Sequence, residues 1–227
     1  MDEAADSFFE ALPLFRNLTP PQLLQARALF HSQRVRANHT LTTEEQPGEI
    51  VYIIVHGSVK ICTQGGAVDT VIGLRGPGEI IGEMSVLDGV GRSAMVIAQE
   101  PSLLFWVSRA DFWNVLWEMP PIPYNLACLL AQRVRQLTSQ VQAMATLDVQ
   151  GRLARQLVTL ADEHGRPCDG PHPSGAVIIP FQLKQAELAG MVGATREQVN
   201  RLLATWIRHG LVSRKGAYLV LYRRDAL

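Results

Sequence analysis

Apolar residues recur along this chain with two different periods, and the change of period divides it. Between Ile50 and Val107 they form short runs broken by glycine: Ile50–Val55, Ser58–Cys62, Val68–Leu74, Met95–Ala98 and Leu103–Val107. Runs of this length and spacing predict an antiparallel roll or barrel. On either side the period is helical. Thr19 before Pro20 marks a helix start, since a threonine caps well and a proline loses nothing at the first helical position. Pro120-Pro121-Ile122-Pro123 stops a helix arriving from upstream, so a long helix is predicted to begin just after it and to run to about residue 146. Within it Ala127, Leu130, Val134, Leu137, Val141 and Met144 step by 3, 4, 3, 4 and 3, an unbroken heptad seam. At ~1.5 Å per residue this helix reaches roughly 30 to 35 Å, more than a small roll needs for its own cover. A second copy of the chain, laid parallel along the seam, is its natural user; packing against its own domain is the alternative.

Leu147-Asp148-Val149-Gln150-Gly151-Arg152 is a polar break where a hinge is expected, followed by a helix over about 150–164 and a loop from Gly165 to Gly175. Gln185–Val192 reads as a short helix with Leu188, Ala189 and Val192 turned inward, and Gly193 supplies a bend. In the next helix, to residue 208, Val199, Leu202, Leu203, Trp206 and Ile207 recur at i, i+3, i+4, i+7 and i+8, the stripe of a helix packed on a core. Thr195 and Gln198 form a capping box at its start. Arg196, Glu197, Asn200 and Arg201 lie on the opposite side, crowded into the first two turns. A basic-tipped hairpin follows, from Ser213-Arg214-Lys215-Gly216 into Ala217–Tyr222. Two crossed helices and a wing make a winged helix-turn-helix, whose second helix presents such side chains to the major groove of duplex DNA. An ordinary amphipathic helix with a solvated face is the plainer reading, but it leaves the preceding helix and the wing without a role.

Charge sharpens this division. The 227 residues carry 21 basic and 21 acidic side chains, yet residues 1–147 hold 10 against 14 and residues 148–227 hold 11 against 7. The cationic part is the one with the reader helix, as phosphate neutralisation requires. No run of 18 apolar residues occurs and the acidic start Met1-Asp2-Glu3 is no signal peptide, so no membrane partner and a cytoplasmic location are expected. Cys62, Cys128 and Cys168 are scattered, without the paired spacing of a zinc or iron–sulfur site, and no metal is expected.

A second site lies in the roll. Gly76-Pro77-Gly78-Glu79-Ile80-Ile81-Gly82-Glu83-Met84-Ser85 places glycines before an acid, and Gly91-Arg92-Ser93-Ala94 follows. Glycines let backbone N–H groups approach an anion, Arg92 offers a planar fork for phosphate, and Glu83 can accept from sugar hydroxyls. These are the parts of a nucleotide pocket. Glu83 and Arg92 could equally pair with one another across a turn, with the glycines serving only the bends.

With these motifs quoted, the chain resembles the cyclic AMP receptor protein and FNR superfamily of bacterial transcription regulators. The resemblance runs through Leu12-Pro13-Leu14-Phe15, the Gly78–Glu83 and Arg92–Ala94 cassette, Leu147–Arg152, and Val192–Arg201. It implies an α+β fold: a cyclic-nucleotide-binding β-roll (1–120), a dimerisation helix (121–147) and a winged helix-turn-helix (148–227). It further implies a ligand site of Gly82 and Glu83 for the ribose, with Met84 beside them, Arg92 and Ser93 for the cyclic phosphate, and Thr138 and Ser139 for the base. Thr195, Arg196, Glu197, Asn200 and Arg201 become the DNA-binding set, each arginine able to fork onto guanine and Glu197 to accept from cytosine. The expected function is that of a homodimeric, non-enzymatic regulator. Cyclic AMP is its expected effector, palindromic DNA with TGTGA-like half-sites its target and RNA polymerase a partner, with no covalently bound cofactor. Three positions depart from the family pattern: the Glu83-to-Arg92 spacing is one shorter than in the best-known activator, the register of Thr138 and Ser139 on the helix is open by one position, and Lys184 stands where a threonine often caps. A different effector, including haem on His31, His39 or His56, is the first alternative. A nucleotide-processing enzyme is the second, although the chain lacks G-x-x-x-x-G-K-[ST], H-E-x-x-H and G-x-S-x-G motifs.

Overall fold

The computed structural model describes residues 8–44, 46–63, 70–168 and 175–222, so the loop expected over Gly165–Gly175 lies mostly outside the described residues. Contacts divide the chain into two compact units, Met1–Ala67 with Leu74–Gln136, and Val68–Gly73 with Leu137–Leu227.

The first unit is built around a β-roll, of which the strand segment within Val68–Gly73 is counted with the second unit. Strands β1 (His31–Val35), β2 (Thr40–Thr42), β3 (Ile50–His56), β4 (Val59–Thr63), β5 (Thr70–Arg75), β6 (Ile80–Ile81), β7 (Met95–Ala98) and β8 (Ser102–Ser108) make two four-stranded sheets, ordered β1-β8-β3-β6 and β2-β7-β4-β5. The longest pairing is antiparallel, β3 on β8, from Ile50 opposite Ser108 to Ile54 opposite Leu104. The apolar runs read from the sequence are buried here: Val51, Ile53, Ile54, Val59, Leu104, Phe105 and Val107 are at most 1 % exposed. Phe9 stacks on Phe15 with ring centroids 4.1 Å apart and meets Phe105 edge-on, while the Arg27 guanidinium lies 4.8 Å from the centre of Phe105. The amino-terminal segment and helix α1 (Pro20–Leu29) thereby close one side of the roll. As expected, α1 starts at Thr19, whose N–H donates to Gln22 Oε1 at 3.0 Å.

Helix α2 (Glu83–Asp88) is one and a half turns long, and α3 (Arg109–Glu118) is capped by Ser108 Oγ, which accepts from the Asp111 N–H at 3.1 Å. The long helix α4 spans Pro121–Thr146. It begins three residues earlier than the proline cluster suggested, because Pro121 and Pro123 both sit in the first turn, where no intrahelical N–H bond is lost. Asn125, buried in this turn, donates through Nδ2 to the carbonyls of Leu14 and Arg16, at 2.9 and 2.8 Å. Farther along, the seam residues Val134, Leu137 and Val141 are 60 % or more exposed.

In the second unit the last turns of α4 pack with carboxy-terminal elements: Gln140 Nε2 donates to the Met191 carbonyl at 3.3 Å and Arg155 Nη2 to Ser139 Oγ at 2.7 Å. Helix α5 (Val149–His164) starts at Asp148, whose carboxylate accepts from the Gly151 N–H at 2.8 Å. Helices α6 (Gln185–Val192) and α7 (Arg196–Arg208) follow, beside a sheet ordered β11-β12-β10-β9. Its strands are β9 (Arg166–Pro167), β10 (Val177–Ile179), β11 (Val212–Lys215) and β12 (Tyr218–Leu221). Leu153, Leu157, Phe181, Leu188, Val199, Leu203 and Trp206 form the buried centre. The fold is α+β, a nucleotide-type roll with a long helix and a winged helix-turn-helix. Among the described residues, no helix is long and apolar enough to cross a membrane.

Candidate functional site

The turn from β6 into α2 shapes a small, half-open cavity of about 80 Å³ in the first unit. Gly82 caps α2 at φ +82°, in the left-handed region that side chains resist. A Cβ there would stand 2.3 Å from Arg92 Nη1 and 3.0 Å from the Ile50 carbonyl oxygen, so both conformation and space demand glycine. The glycine delivers Glu83 as the first residue of α2, its side chain almost wholly buried. That carboxylate forms an ion pair with Arg133 of α4, whose guanidinium also donates to the Ile80 carbonyl.

Arg92 is 7 % exposed and is fastened from three sides. It donates through Nη1 to the Gly82 carbonyl at 2.8 Å and to Ser85 Oγ at 3.3 Å, and through Nη2 to the Ile50 carbonyl at 2.6 Å. The alternative pairing of Glu83 with Arg92 is thus replaced: Glu83 takes Arg133, while Arg92 takes backbone oxygens. Burial pulls the Arg92 pKa below its ordinary value, against the pull of Tyr52, Glu83 and Glu49, and burial pushes Tyr52 upward against Arg92. A guanidinium stays charged through such a shift, so the cavity keeps a cation with Nε and an Nη2 hydrogen beyond the three bonds named.

The structure brings Gly82, Glu83, Met84, Arg92 and Ser93 together on this cavity, with Met84 and Ser93 exposed. Thr138 and Ser139 belong to the second unit, where Thr138 is exposed and Ser139 Oγ accepts from Arg155. Sequence reasoning missed Arg133, Ser85, Thr42, Ile61 and Arg75, all on the cavity wall. Arg133 could have been found as the cation just before the seam residue Val134, and Arg75 as the charge that ends an apolar strand run. Beside Arg75, burial pushes the Glu79 carboxyl above its ordinary value, opposed by Arg75, by the Gly76 N–H and by Arg133.

The other candidate surface is α7. Thr195 caps it reciprocally with Gln198: the Gln198 N–H donates to Thr195 Oγ1 at 3.2 Å and the Thr195 N–H to Gln198 Oε1 at 2.9 Å. Val199, Leu203 and Trp206 are buried, Leu202 is half-buried, and Ile207 is 40 % exposed at the edge of the stripe. Arg196, Glu197, Asn200 and Arg201 are exposed together with Thr195. Gln185 Nε2 donates to Asn200 Oδ1 at 2.7 Å, which ties the first turns of α6 and α7. Lys184 precedes α6 without a side-chain cap, and its N–H donates to Glu187 Oε2 at 3.1 Å instead. Gly193, at φ +59°, makes the turn. Arg152 braces it, donating through Nε to the Val192 carbonyl at 2.8 Å, through Nη2 to the Gly193 carbonyl at 3.3 Å and through Nη1 to the Leu147 carbonyl at 2.9 Å. The wing tip carries exposed Arg214 and Lys215. Among the described residues no group of three or more His, Cys, Asp and Glu side chains could hold a metal ion.

Comparison with known proteins meets the same two regions. Residues 32–118 match the cyclic nucleotide-binding domain and residues 151–227 the Crp-like helix-turn-helix domain. The "Cyclic AMP receptor protein" of Thermus thermophilus is 30 % identical over 216 residues, covering 95 % of this chain and 94 % of that protein. The "cAMP-activated global transcriptional regulator Vfr" of Pseudomonas aeruginosa is 31 % identical over 197 residues, covering 85 % and 89 %. Among solved structures, the c-di-GMP responsive global regulator CLP of Xanthomonas campestris superposes with a TM-score of 0.73 at 24 % identity, over 90 % of this chain and 99 % of that one.

Proposed function

The chain belongs to the CRP/FNR family of transcription regulators, with a cyclic-nucleotide-binding domain and a Crp-like helix-turn-helix, and on that premise we propose that it works as a cytoplasmic homodimer whose grip on palindromic DNA is set by a cyclic purine mononucleotide. Cyclic AMP is the effector for which the relatives are named, and it is the first to test. The observation that carries the reading is the grouping of a buried arginine, a buried carboxylate and a second arginine around the Gly82 turn. Phosphate meets Arg92 and Arg133, and ribose hydroxyls meet Glu83. The matches to a cyclic nucleotide-binding domain and a helix-turn-helix domain support a regulator over an enzyme.

Ligand and DNA are linked through α4. Phosphate competes with Glu83 for Arg133, and Arg133 lies on the helix whose exposed seam, Val134, Leu137 and Val141, suits a second copy of the chain. A ligand that draws Arg133 to itself biases the paired helices toward one arrangement, a population shift read out at the DNA. Each subunit offers Arg196, Glu197, Asn200 and Arg201 to one half-site, TGTGA-like by family resemblance, with Thr195 and the basic wing on phosphates. RNA polymerase is the partner on the same resemblance.

The test is calorimetric titration of the full chain with cyclic AMP and cyclic GMP, alone and with a palindromic duplex present. Tighter nucleotide binding in the presence of the duplex, and the reciprocal gain in DNA affinity, is expected. A protein that is monomeric at micromolar concentration and indifferent to the duplex with or without nucleotide overturns the reading.

A further inference from the structure

One polar side chain on the reader face of α7 is held by another helix. Asn200 Oδ1 accepts a 2.7 Å bond from Nε2 of Gln185, the first residue of α6. Asn200 is exposed and Gln185 is half-buried. A neutral bond between two amides that water could satisfy adds little to stability, but it holds still a side chain that would otherwise turn freely. Its effect falls on recognition. Asn200 lies one turn after Arg196, on the side of α7 that meets the start of α6, and directly before Arg201, in the neighbouring row that begins with Glu197. It therefore stands between the two arginines of the reader set.

The chemistry of the held amide selects a base. An asparagine carries a carbonyl oxygen with two lone pairs and an amino group with two donors. Among the described residues the bond to Gln185 is the one this side chain makes, so a lone pair and both N–H groups are left. In the major groove adenine shows an acceptor, N7, beside a donor, the N6 amino group, whereas guanine shows two acceptors. One carbonyl and one N–H side by side match adenine. A free amide presents the two groups in either order; with Gln185 on the oxygen, the order is set before DNA arrives. Setting it in advance removes part of the ordering cost that binding otherwise meets.

We propose that Asn200 reads an adenine in each half-site, next to the base pairs met by Arg196 and Arg201, and that Gln185 is its positioning residue. The assignment rests on α7 being the DNA reader and names one base that it reads. Its test uses the full chain, with and without cyclic AMP, to select duplexes from palindromes with randomised half-sites, and then measures Kd for each base at each selected position. Wild type is expected to favour adenine over guanine at one position about ten-fold or more. Asn200→Ala is expected to abolish that preference and to leave the neighbouring ones. Gln185→Ala should lower it about three-fold or more, with an unchanged thermal midpoint and no further effect on specificity once Asn200→Ala is present. Gln185→Lys, which still donates to Oδ1, should keep the preference; Gln185→Glu, which can only accept and so turns the amide over, should abolish it. An Asn200→Ala variant that loses affinity equally on all sequences, a position where Asn200 favours another base, or an adenine preference untouched by Gln185→Ala overturns the proposal. If wild type selects no sequence in either condition, the DNA-reading assignment of α7 itself fails, and the base assignment with it.

Discussion

The candidate ligand cavity and the proposed reader face of α7 use the same chemistry, arginines beside carboxylates, in opposite settings. Glu83 and Arg92 are nearly inaccessible and each is tied to neighbours before any ligand arrives. Arg196, Glu197 and Arg201 stand in water. Buried charges that have lost their hydration must be paired or hydrogen-bonded within the fold, so changing one disturbs folding as well as binding. Exposed charges contribute almost nothing to stability and can be spent wholly on a partner. The cavity therefore couples stability to recognition, whereas the reader separates them.

The sharpest attempt to break this contrast is Arg133→Ala. It leaves Glu83 buried without its cation, and a loss of about 3 kcal/mol is expected in denaturant unfolding, largely recovered in the double variant with Glu83→Gln. A loss below half of this would place the pair among weak surface bridges. Next comes Arg92→Ala, for which nucleotide affinity measured by calorimetry should fall about 100-fold or more. Because three carbonyl and hydroxyl acceptors lose their donor, the thermal midpoint should fall too, which a purely ligand-facing arginine would not cause.

On the reader side, Arg196→Ala or Arg201→Ala should each lose about 1 to 3 kcal/mol of affinity for an operator-like duplex and relax preference at one base pair, with an unchanged thermal midpoint. An equal loss on random DNA would reassign them to phosphate contacts. Thr195→Ala removes the reciprocal cap of α7 and should lower unfolding stability by about 1 kcal/mol, the one place where the reader face and stability meet. The smallest effect concerns pH. Glu79 has a raised carboxyl pKa, so between its ordinary value and the raised one the native state holds the extra proton. Stability from this group is present in acid and declines as pH rises through that window. Glu79→Gln should flatten that decline in thermal midpoints recorded across mildly acidic pH.

The same contrast governs how much could be read from the sequence. Reader residues declare themselves locally: a cap, an apolar stripe at helical spacing and a polar face lie within one helix, and the structure keeps all but Ile207 and Leu202 where the pattern put them. The glycine before Glu83 was equally legible, because a single backbone angle requires it. The partners of the buried charges were not. Arg133 reaches Glu83 across 50 positions of chain and Arg92 reaches Ile50 across 42, and no local period encodes such meetings. The start of α4 read from the proline cluster alone was misplaced for the converse reason, since a proline that breaks a helix interior is welcome in its first turn, and only the fold tells which turn it occupies.

The bend between α6 and α7 carries a consequence for motion. The carbonyls of Met191, Val192 and Gly193 are taken in succession by Gln140 and Arg152, side chains from the two preceding helices. Opening that elbow would strand three acceptors at once. The bend is thereby held to the two helices before it, so the proposed reader face is expected to move together with the end of α4 and with α5, not on its own.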